Sequence, residues 1–223
     1  LSQIELLRSD LQEYARGIIG HVRIFANTTA MTVFLPALLS RYLAAHPNVR
    51  INLSEKSSAD ITRAVAARTT DIGIVADTVS TEGLITLPFQ SDELVLVVSA
   101  QHPLAQHSKL YFEQGIGEDF ISLHEGSAIH GFLLRAAERL NRQIKLRIQV
   151  NSFETLCHMA AENVGIGLVP DSAARRYEQH LPIRRIQLQD SWAQRNLLLC
   201  VRDPERLPHY TRALIDLLTT AGD

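Results

Sequence analysis

The sequence predicts an α/β protein made of two Rossmann-like lobes with a central cleft. Strand-like apolar runs alternate with helix-like segments from residue 20 onward, a pattern typical of largely parallel sheets with helical crossovers. The same succession of strand, small polar turn and helix occurs before and after a break at residues 101–104. The length of 223 residues corresponds to one or two domains of about 150 residues each. We assign residues 20–99 and 195–223 to lobe I and residues 100–194 to lobe II.

The composition is that of an ordinary globular protein. With 46% hydrophobic and 21% charged residues, it excludes wholesale disorder. The 22 basic and 24 acidic residues give a net charge of −2, too little cationic excess for nucleic-acid binding by this chain alone. The longest obvious apolar run, Leu94–Val98, is far shorter than the roughly 18 residues of a membrane span. Two cysteines do not make a disulfide framework, so we expect a cytoplasmic protein without membrane attachment.

Residues 1–19 are predicted to form the end of a linker helix. Apolar residues recur at the spacing of a coiled-coil seam, at Ile4, Leu7, Leu11, Tyr14 and Ile18. An isolated short helix is marginal in water, so this helix either packs on its own lobe or dimerises. We favour a dimerisation helix, and the first residue, Leu1, indicates that a further segment precedes it. Acidic residues among the apolar ones distinguish the segment from a secretory signal.

Lobe I begins with a strand at residues 21–26, in which apolar side chains alternate. A helix follows, in which Pro36 fits the first turns and His46-Pro47 ends the element. The other predicted elements of lobe I are strands at 50–54, 71–76, 84–89 and 94–99, a helix after Ser58, a return strand at 196–201 and a final helix at 207–219.

Lobe II repeats this alternation. We predict strands at 120–123, 145–150, 165–169 and 183–188, and helices at 127–141, 153–162 and 171–177. The chain crosses between the lobes near residues 99–101 and 190–195, and neither crossing is rich in Gly or Ser. We therefore expect ordered strands at the crossings, which form the predicted hinge, rather than flexible tethers.

Small polar residues follow four of the predicted strands, where helices begin. A side-chain oxygen there caps the helix, and the remaining N–H groups face outward with the positive end of the helix dipole. Because helix starts line the crevice beyond the strand ends of α/β sheets, they predict a cleft that binds a small anion, such as a carboxylate. The residues are Asn27, Thr28, Thr29, Ser57, Ser58, Glu125, Ser127, Asn151 and Ser152. A capping role alone is the alternative for each of them.

Two of these turns have the spacing of a capping box. Ser57 precedes Asp60 by three residues, and Asn151 precedes Glu154 by three residues. The spacing predicts that Ser57 and Asn151 are the N-caps of their helices.

No catalytic or metal-binding motif stands out. The patterns G-x-S-x-G, Walker A, G-x-G-x-x-G and H-E-x-x-H do not occur. His124 and His130 flank the turn at Glu125 and are candidate ligand contacts, with surface or cap roles as the alternative. Cys157 and Cys200 fit an apolar core better than a reactive site. We predict no catalytic residue, cofactor or metal, although Glu125 with either histidine is a candidate acid–base pair for an enzyme.

An ordered series of motifs covers nearly the whole chain. It comprises Gly20-His21-Val22-Arg23-Ile24, Phe34-Leu35-Pro36, Thr70-Asp71-Ile72-Gly73-Ile74, Asp92-Glu93-Leu94-Val95, His102-Pro103-Leu104, Ser152-Phe153-Glu154-Thr155 and Val164-Gly165-Ile166-Gly167. Together they resemble the effector-binding region of LysR-type transcriptional regulators, which has the type 2 periplasmic-binding-protein-like fold. The resemblance implies the ligand-sensing domain of a bacterial DNA-binding regulator, not an enzyme.

The resemblance also implies partners and contacts. A small-molecule inducer would bind between the lobes and favour one state of lobe closure. Promoter DNA would bind a winged helix-turn-helix domain preceding residue 1, and the full-length regulator would be a homodimer and then a homotetramer. The family's inducer contacts carry over onto the polar turns named above, with Thr29 as the best match and Phe153 added beside Ser152.

Two departures from the family pattern bear on its implications. Asn163 replaces the usual glycine, and Asn tolerates the left-handed backbone expected there. Ser127-Ala128-Ile129 stands where the peroxide-sensing branch has a reactive cysteine, so thiol sensing is not expected. The alternative class is the solute-binding protein of a transporter, which shares the fold but should begin with a signal peptide and lack a coiled-coil seam.

Overall fold

The computed structural model describes residues 20–220, and the predicted linker helix at residues 1–19 lies outside them. Within the described range the chain forms two compact units. Residues 20–90 and 197–220 belong to unit 1, and Ser91–Asn196 form unit 2. None of the described helices is both long and apolar enough to cross a membrane.

Unit 1 is built on a sheet with the strand order β2-β1-β3-β10. The strands are β1 (Gly20–Ala26), β2 (Val49–Glu55), β3 (Ile72–Ala76) and β10 (Gln194–Val201). The first residues of β10 belong to unit 2. A π-helical turn (Ala30–Phe34) leads into α1 (Leu35–Ala45), and α2 (Ser58–Ala66) joins β2 to β3. After β10 come a 3₁₀ turn (Pro204–Arg206) and α7 (His209–Thr220).

The register of unit 1 brings the polar turns after β1 and β2 together. β1 runs parallel to β2 and β3, whereas β10 runs antiparallel to β3. At the end of β1, Ala26 pairs with Glu55 of β2 and Ile74 of β3. Because parallel strands end at the same edge of a sheet, the residues that follow Ala26 and Glu55 lie side by side.

The core of unit 1 depends on a close approach between β3 and its neighbours. Ile61, Val65, Val75 and Cys200 form a buried cluster. A Cβ atom at Gly73 would lie 2.6 Å from both Cys200 Sγ and Ile61 Cγ2. Only glycine fits this position without displacing core side chains, which explains why a glycine stands between Ile72 and Ile74 in this buried strand.

Unit 2 is built on a sheet with the strand order β4-β8-β6-β7, with β9 pairing β4 and β5. The strands are β4 (Ile85–Ser99, beginning in unit 1), β5 (Lys109–Leu110), β6 (Asp119–Leu123), β7 (Lys145–Val150), β8 (Ile166–Pro170) and β9 (Ile183–Leu188). The α-helices are α3 (Phe112–Gly115), α4 (Ala128–Arg139), α5 (Phe153–Ala161) and α6 (Asp171–Glu178). Pro103–Gln106 and Ser191–Ala193 form 3₁₀ turns.

Parallel pairing also sets the geometry of unit 2. β6 is parallel to β7 and β8, and β4 is antiparallel to β8 and β9. Leu123 at the end of β6 pairs with Val150 at the end of β7. The polar turns after these two strands therefore leave the sheet at one edge, as they do in unit 1.

β4 is one continuous strand, so the prediction of two separate strands at residues 84–89 and 94–99 is wrong. The intervening polar stretch does not end the strand, because Asp92 is buried and its Oδ2 lies 2.6 Å from Nη2 of Arg195 in β10. The two units divide after Gln90 and after Asn196, whereas the sequence prediction put the boundaries after residue 99 and before residue 195. Since unbroken strands carry the chain across both boundaries, no turn residue marks them.

Candidate functional site

The turn after β1 is buried and held by its own side chains. Asn27, Thr28 and Thr29 are each at most 5% exposed. Asn27 Oδ1 accepts a hydrogen bond from the N–H of Ala30 at 3.0 Å, and Thr28 Oγ1 donates to Glu55 Oε1 at 2.6 Å. Nδ2 of Asn27 is buried without a hydrogen-bond partner in the described part of the chain. The turn is thus fixed between β1 and β2 with one amide donor unsatisfied.

The turn after β2 contributes two serines, which have different roles. Ser57 Oγ accepts from the N–H of Asp60 at 3.2 Å and donates to Asp60 Oδ2 at 2.6 Å, so its predicted capping role at α2 is confirmed. Ser58 is buried, and its Oγ accepts from the N–H of Ala76, the last residue of β3, at 3.3 Å. We call Asn27, Thr28, Thr29, Ser57 and Ser58 the first rim.

The turn after β6 is joined to β7 and caps α4. The N–H of His124 donates to the carbonyl of Val150 at 3.0 Å. Ser127 is buried, and its Oγ accepts from the N–H of Ile129 at 3.2 Å, which makes it the N-cap of α4. The carboxylate of Glu125 is exposed beside it.

His130 is a buried residue near the start of α4. Its Nδ1 lies 2.8 Å from Oγ of Ser122, and both residues are at most 7% exposed. Burial lowers the pKa of His130 below its ordinary value, and the nearby carboxylate of Glu125 opposes this effect. Burial thus favours the neutral form of the imidazole. The sequence analysis did not identify Ser122 as the partner of His130, because only the packing of α4 against β6 brings the two side chains together.

The turn after β7 corrects one prediction. Asn151 is exposed and lies outside α5, whereas Ser152 is the N-cap, with Oγ accepting from the N–H of Thr155 at 3.1 Å. The predicted capping pair of Asn151 and Glu154 is therefore wrong, because the extended cap conformation occurs one residue later. The next residue, Phe153, is buried in the core of unit 2. We call Glu125, Ser127, His130, Asn151, Ser152 and Phe153 the second rim.

Both rims offer hydrogen-bond donors and hydroxyl groups. Helix starts present backbone N–H groups and a partial positive charge, which favour oxyanions. Within residues 20–220, no group of three or more His, Cys, Asp or Glu side chains is placed to hold a metal ion.

The two cysteines belong to the cores, as predicted. Cys157 and Cys200 are fully buried. Burial raises the pKa of each thiol to about 12. Because the thiolate is the reactive form, neither side chain is poised for redox chemistry.

Asp92 and Arg195 form a buried ion pair that the sequence did not indicate. Besides the contact with Asp92, the guanidinium of Arg195 lies over the ring of Phe132, 5.8 Å from its centroid. Burial raises the pKa of Asp92, and the adjacent Arg195 opposes this shift. The pair lies 103 positions apart in the sequence, so no local pattern could have revealed it.

Sequence comparison relates this chain to a family of regulators. The sequence model of the family described as the LysR substrate binding domain matches residues 15–223 of this chain. The hydrogen peroxide-inducible genes activator of Haemophilus influenzae is 28% identical over 173 residues, which cover 78% of this chain and 58% of that protein. A probable RuBisCO transcriptional regulator of Synechocystis is 26% identical over 198 residues, covering 84% of this chain and 56% of that protein. The chain thus spans less than two thirds of these relatives.

Solved structures share the fold. The regulatory domain of Synechocystis CcmR in complex with 2-PG superposes with a TM-score of 0.81 at 20% identity, covering 92% of this chain and 98% of that one. These values confirm the predicted type 2 periplasmic-binding-protein-like fold. With the matched family model, they establish that this chain belongs to the LysR substrate-binding domains, the effector-binding domains of LysR-type transcriptional regulators.

Proposed function

We propose that this chain senses a small anionic effector, such as a carboxylate, and that the first rim binds it. The unsatisfied Nδ2 donor of Asn27 carries the proposal. A buried donor without a partner costs about 1–3 kcal/mol, and a ligand oxygen that accepts from it removes that cost. The residues of the second rim remain candidates for contacts with the same ligand.

The character of the first rim favours an oxyanion over a cation. Three of its hydroxyls are already engaged within unit 1, those of Thr28, Ser57 and Ser58. The donor left for a ligand is Nδ2 of Asn27, beside helical segments whose starts carry the positive end of the dipole. Related structures have been solved with benzoate, as for BenM, and with shikimate, as for QuiR, and both names are those of carboxylates.

For the whole protein we propose a transcriptional regulator. A DNA-binding domain would precede residue 1 and bind promoter DNA, and residues 1–19 would form the linker helix of a homodimer that assembles into a homotetramer. The protein would act in the cytoplasm and release its effector unchanged, without catalysis. The regulators and activator that match part of this chain support the proposal.

Two other functions are less well supported. The solute-binding protein of a transporter shares the fold, but the family model that matches is that of a regulator domain. Peroxide sensing is suggested by the name of the Haemophilus relative. It requires a reactive thiolate, whereas burial raises the pKa of Cys157 and Cys200 to about 12.

The proposal is tested by ligand binding to an Asn27→Asp variant. Aspartate keeps the oxygen that accepts from Ala30 and replaces the Nδ2 donor with a negatively charged oxygen. In a thermal-shift panel of carboxylates that includes benzoate and shikimate, we expect a ligand at about 100 times its Kd to raise the Tm of the wild-type chain by several degrees. The variant should fold and lose this shift.

Asn48→Asp is the matched control. Asn48 is exposed and directly precedes β2, at the end of the strand remote from the first rim, so the variant adds the same charge away from the rim. It should respond to the ligand as the wild type does. Equal ligand shifts in the Asn27→Asp variant and the wild type, or no shift with any carboxylate, would contradict the proposal.

A further inference from the structure

Unit 1 contains a cavity of about 220 Å³ at the end of β3 that lies opposite to the first rim. Asp71 directly precedes β3, and Arg202 directly follows β10. Since β10 runs antiparallel to β3, the two residues lie at the same end of the sheet. Asn27, by contrast, follows the opposite end of the parallel strand β1. The cavity is therefore separate from the first rim.

The cavity carries a net positive charge. Four arginines and two aspartates line it, namely Arg23, Arg68, Arg202, Arg206, Asp71 and Asp203. Arg23 is paired with Asp71 through Nη2 at 2.7 Å, and Nε of Arg206 lies 3.0 Å from Oδ2 of Asp203. Within each pair the two opposite charges neutralise each other. Among the lining residues, the charges of Arg68 and Arg202 are left uncompensated.

Arg202 is held in place by backbone contact rather than by a carboxylate. Its Nη1 donates to the carbonyl of Ala66, the last residue of α2. A guanidinium has five N–H donors in a planar fork, so this bond leaves others for a ligand. The end of α2 thus orients Arg202 beside the cavity.

Arg68 occupies a backbone position that usually belongs to glycine. Its φ is +60°, and α2 ends there in a Schellman motif, in which Arg68 N donates to Val65 O at 3.1 Å and Thr69 N to Ala64 O at 2.9 Å. The other non-glycine residues with positive φ in the described chain are Asn141 and Asn163, the residue type that tolerates this conformation best. An arginine in this conformation carries a backbone penalty that glycine would not.

We propose that this cavity is a second binding site, for a small phosphate-type dianion, with Arg68 and Arg202 as its main ligands. Guanidinium forks match the oxygens of phosphate in bidentate geometry, and two uncompensated cations match its charge. The cavity is several times the roughly 30 Å³ of a water molecule but below the about 300–1,000 Å³ of drug-sized sites. A function in binding also accounts for the unfavourable backbone conformation of Arg68.

The site is tested by titrating the chain with inorganic phosphate in isothermal calorimetry. Arg68→Gly should weaken phosphate binding about tenfold or more, because it removes a charged hydrogen-bond donor. The same variant should raise the Tm of the phosphate-free chain by roughly 2 °C, since glycine adopts the left-handed conformation without penalty. Arg202→Gln, which keeps a donor for Ala66, should also weaken phosphate binding.

Arg41→Gln is the matched control, since Arg41 is exposed on α1 and does not line the cavity. It should bind phosphate as the wild type does. Glycerol phosphate serves as a second probe: tighter binding than inorganic phosphate would indicate a phosphomonoester ligand, and weaker binding would indicate free phosphate. Unchanged phosphate affinity in Arg68→Gly and Arg202→Gln, or no phosphate binding by the wild-type chain, would overturn the proposal.

Discussion

At the scale of single residues, the first rim shows what spacing in a sequence does and does not reveal. The strand–turn–helix pattern located Asn27, Thr28, Ser57 and Ser58, and the register of β1 and β2 brings them to one edge. The pattern did not indicate which polar atoms would be satisfied. That depends on partners far along the chain, such as Glu55 for Thr28 and Ala76 for Ser58. Only these contacts single out Asn27 as the residue with a spare donor.

His130 should make the stability of unit 2 depend on pH. Since burial lowers its pKa below the ordinary value of 6.5, the unfolded chain binds the proton more tightly than the folded chain. The free energy of unfolding therefore has its full value above pH 6.5 and decreases as the pH falls through and below that value, because protonation of His130 favours the unfolded chain. His130→Gln should therefore lose less stability than the wild type between pH 7 and pH 5.5, as measured by urea denaturation.

A control separates this effect from the other histidines. His180→Gln removes an exposed histidine from the same unit and should lose stability over this pH range as the wild type does. Identical pH profiles for His130→Gln and the wild type would show that the folded chain accepts the proton at His130 without penalty.

At the scale of elements, apolar periodicity predicted the long helices and most of the strands. It did not predict the elements whose presence or length depends on tertiary contacts. The helices at α4 and α5 and the strand β7 follow their apolar patterns. β5 has two residues and α3 has four, too few for any period to show. β4 continues through polar residues because Arg195 of a distant strand pairs with Asp92, information that no local pattern holds.

The start of α5 supplies a test at this scale. Because Ser152 Oγ accepts from the N–H of Thr155, Ser152→Ala should reduce the free energy of unfolding by about 1 kcal/mol. Asn151→Ala, one residue outside the helix, should have little effect. Urea denaturation of the two variants measures both values, and a larger loss for Asn151→Ala would restore the capping role that the sequence predicted for it.

At the scale of the whole molecule, the order of the motifs was informative although each one was weak. Their succession indicated the LysR effector-binding fold, which the family model and the superposed structures confirm. The division into units after Gln90 and Asn196 was harder to place, because it falls within the continuous strands β4 and β10. The order of the motifs along the chain thus indicates the fold, whereas the boundaries between its units depend on long-range packing.

The central claim is that the first rim recognises a small anion through Asn27, and the most direct measurement is a crystal structure with a bound carboxylate. The ligand should be the one that raises the Tm most in the thermal-shift panel. We predict a carboxylate oxygen within hydrogen-bond distance, about 3 Å, of Nδ2 of Asn27. A bound carboxylate that leaves this nitrogen without an acceptor, or that lies away from the first rim, would contradict the account.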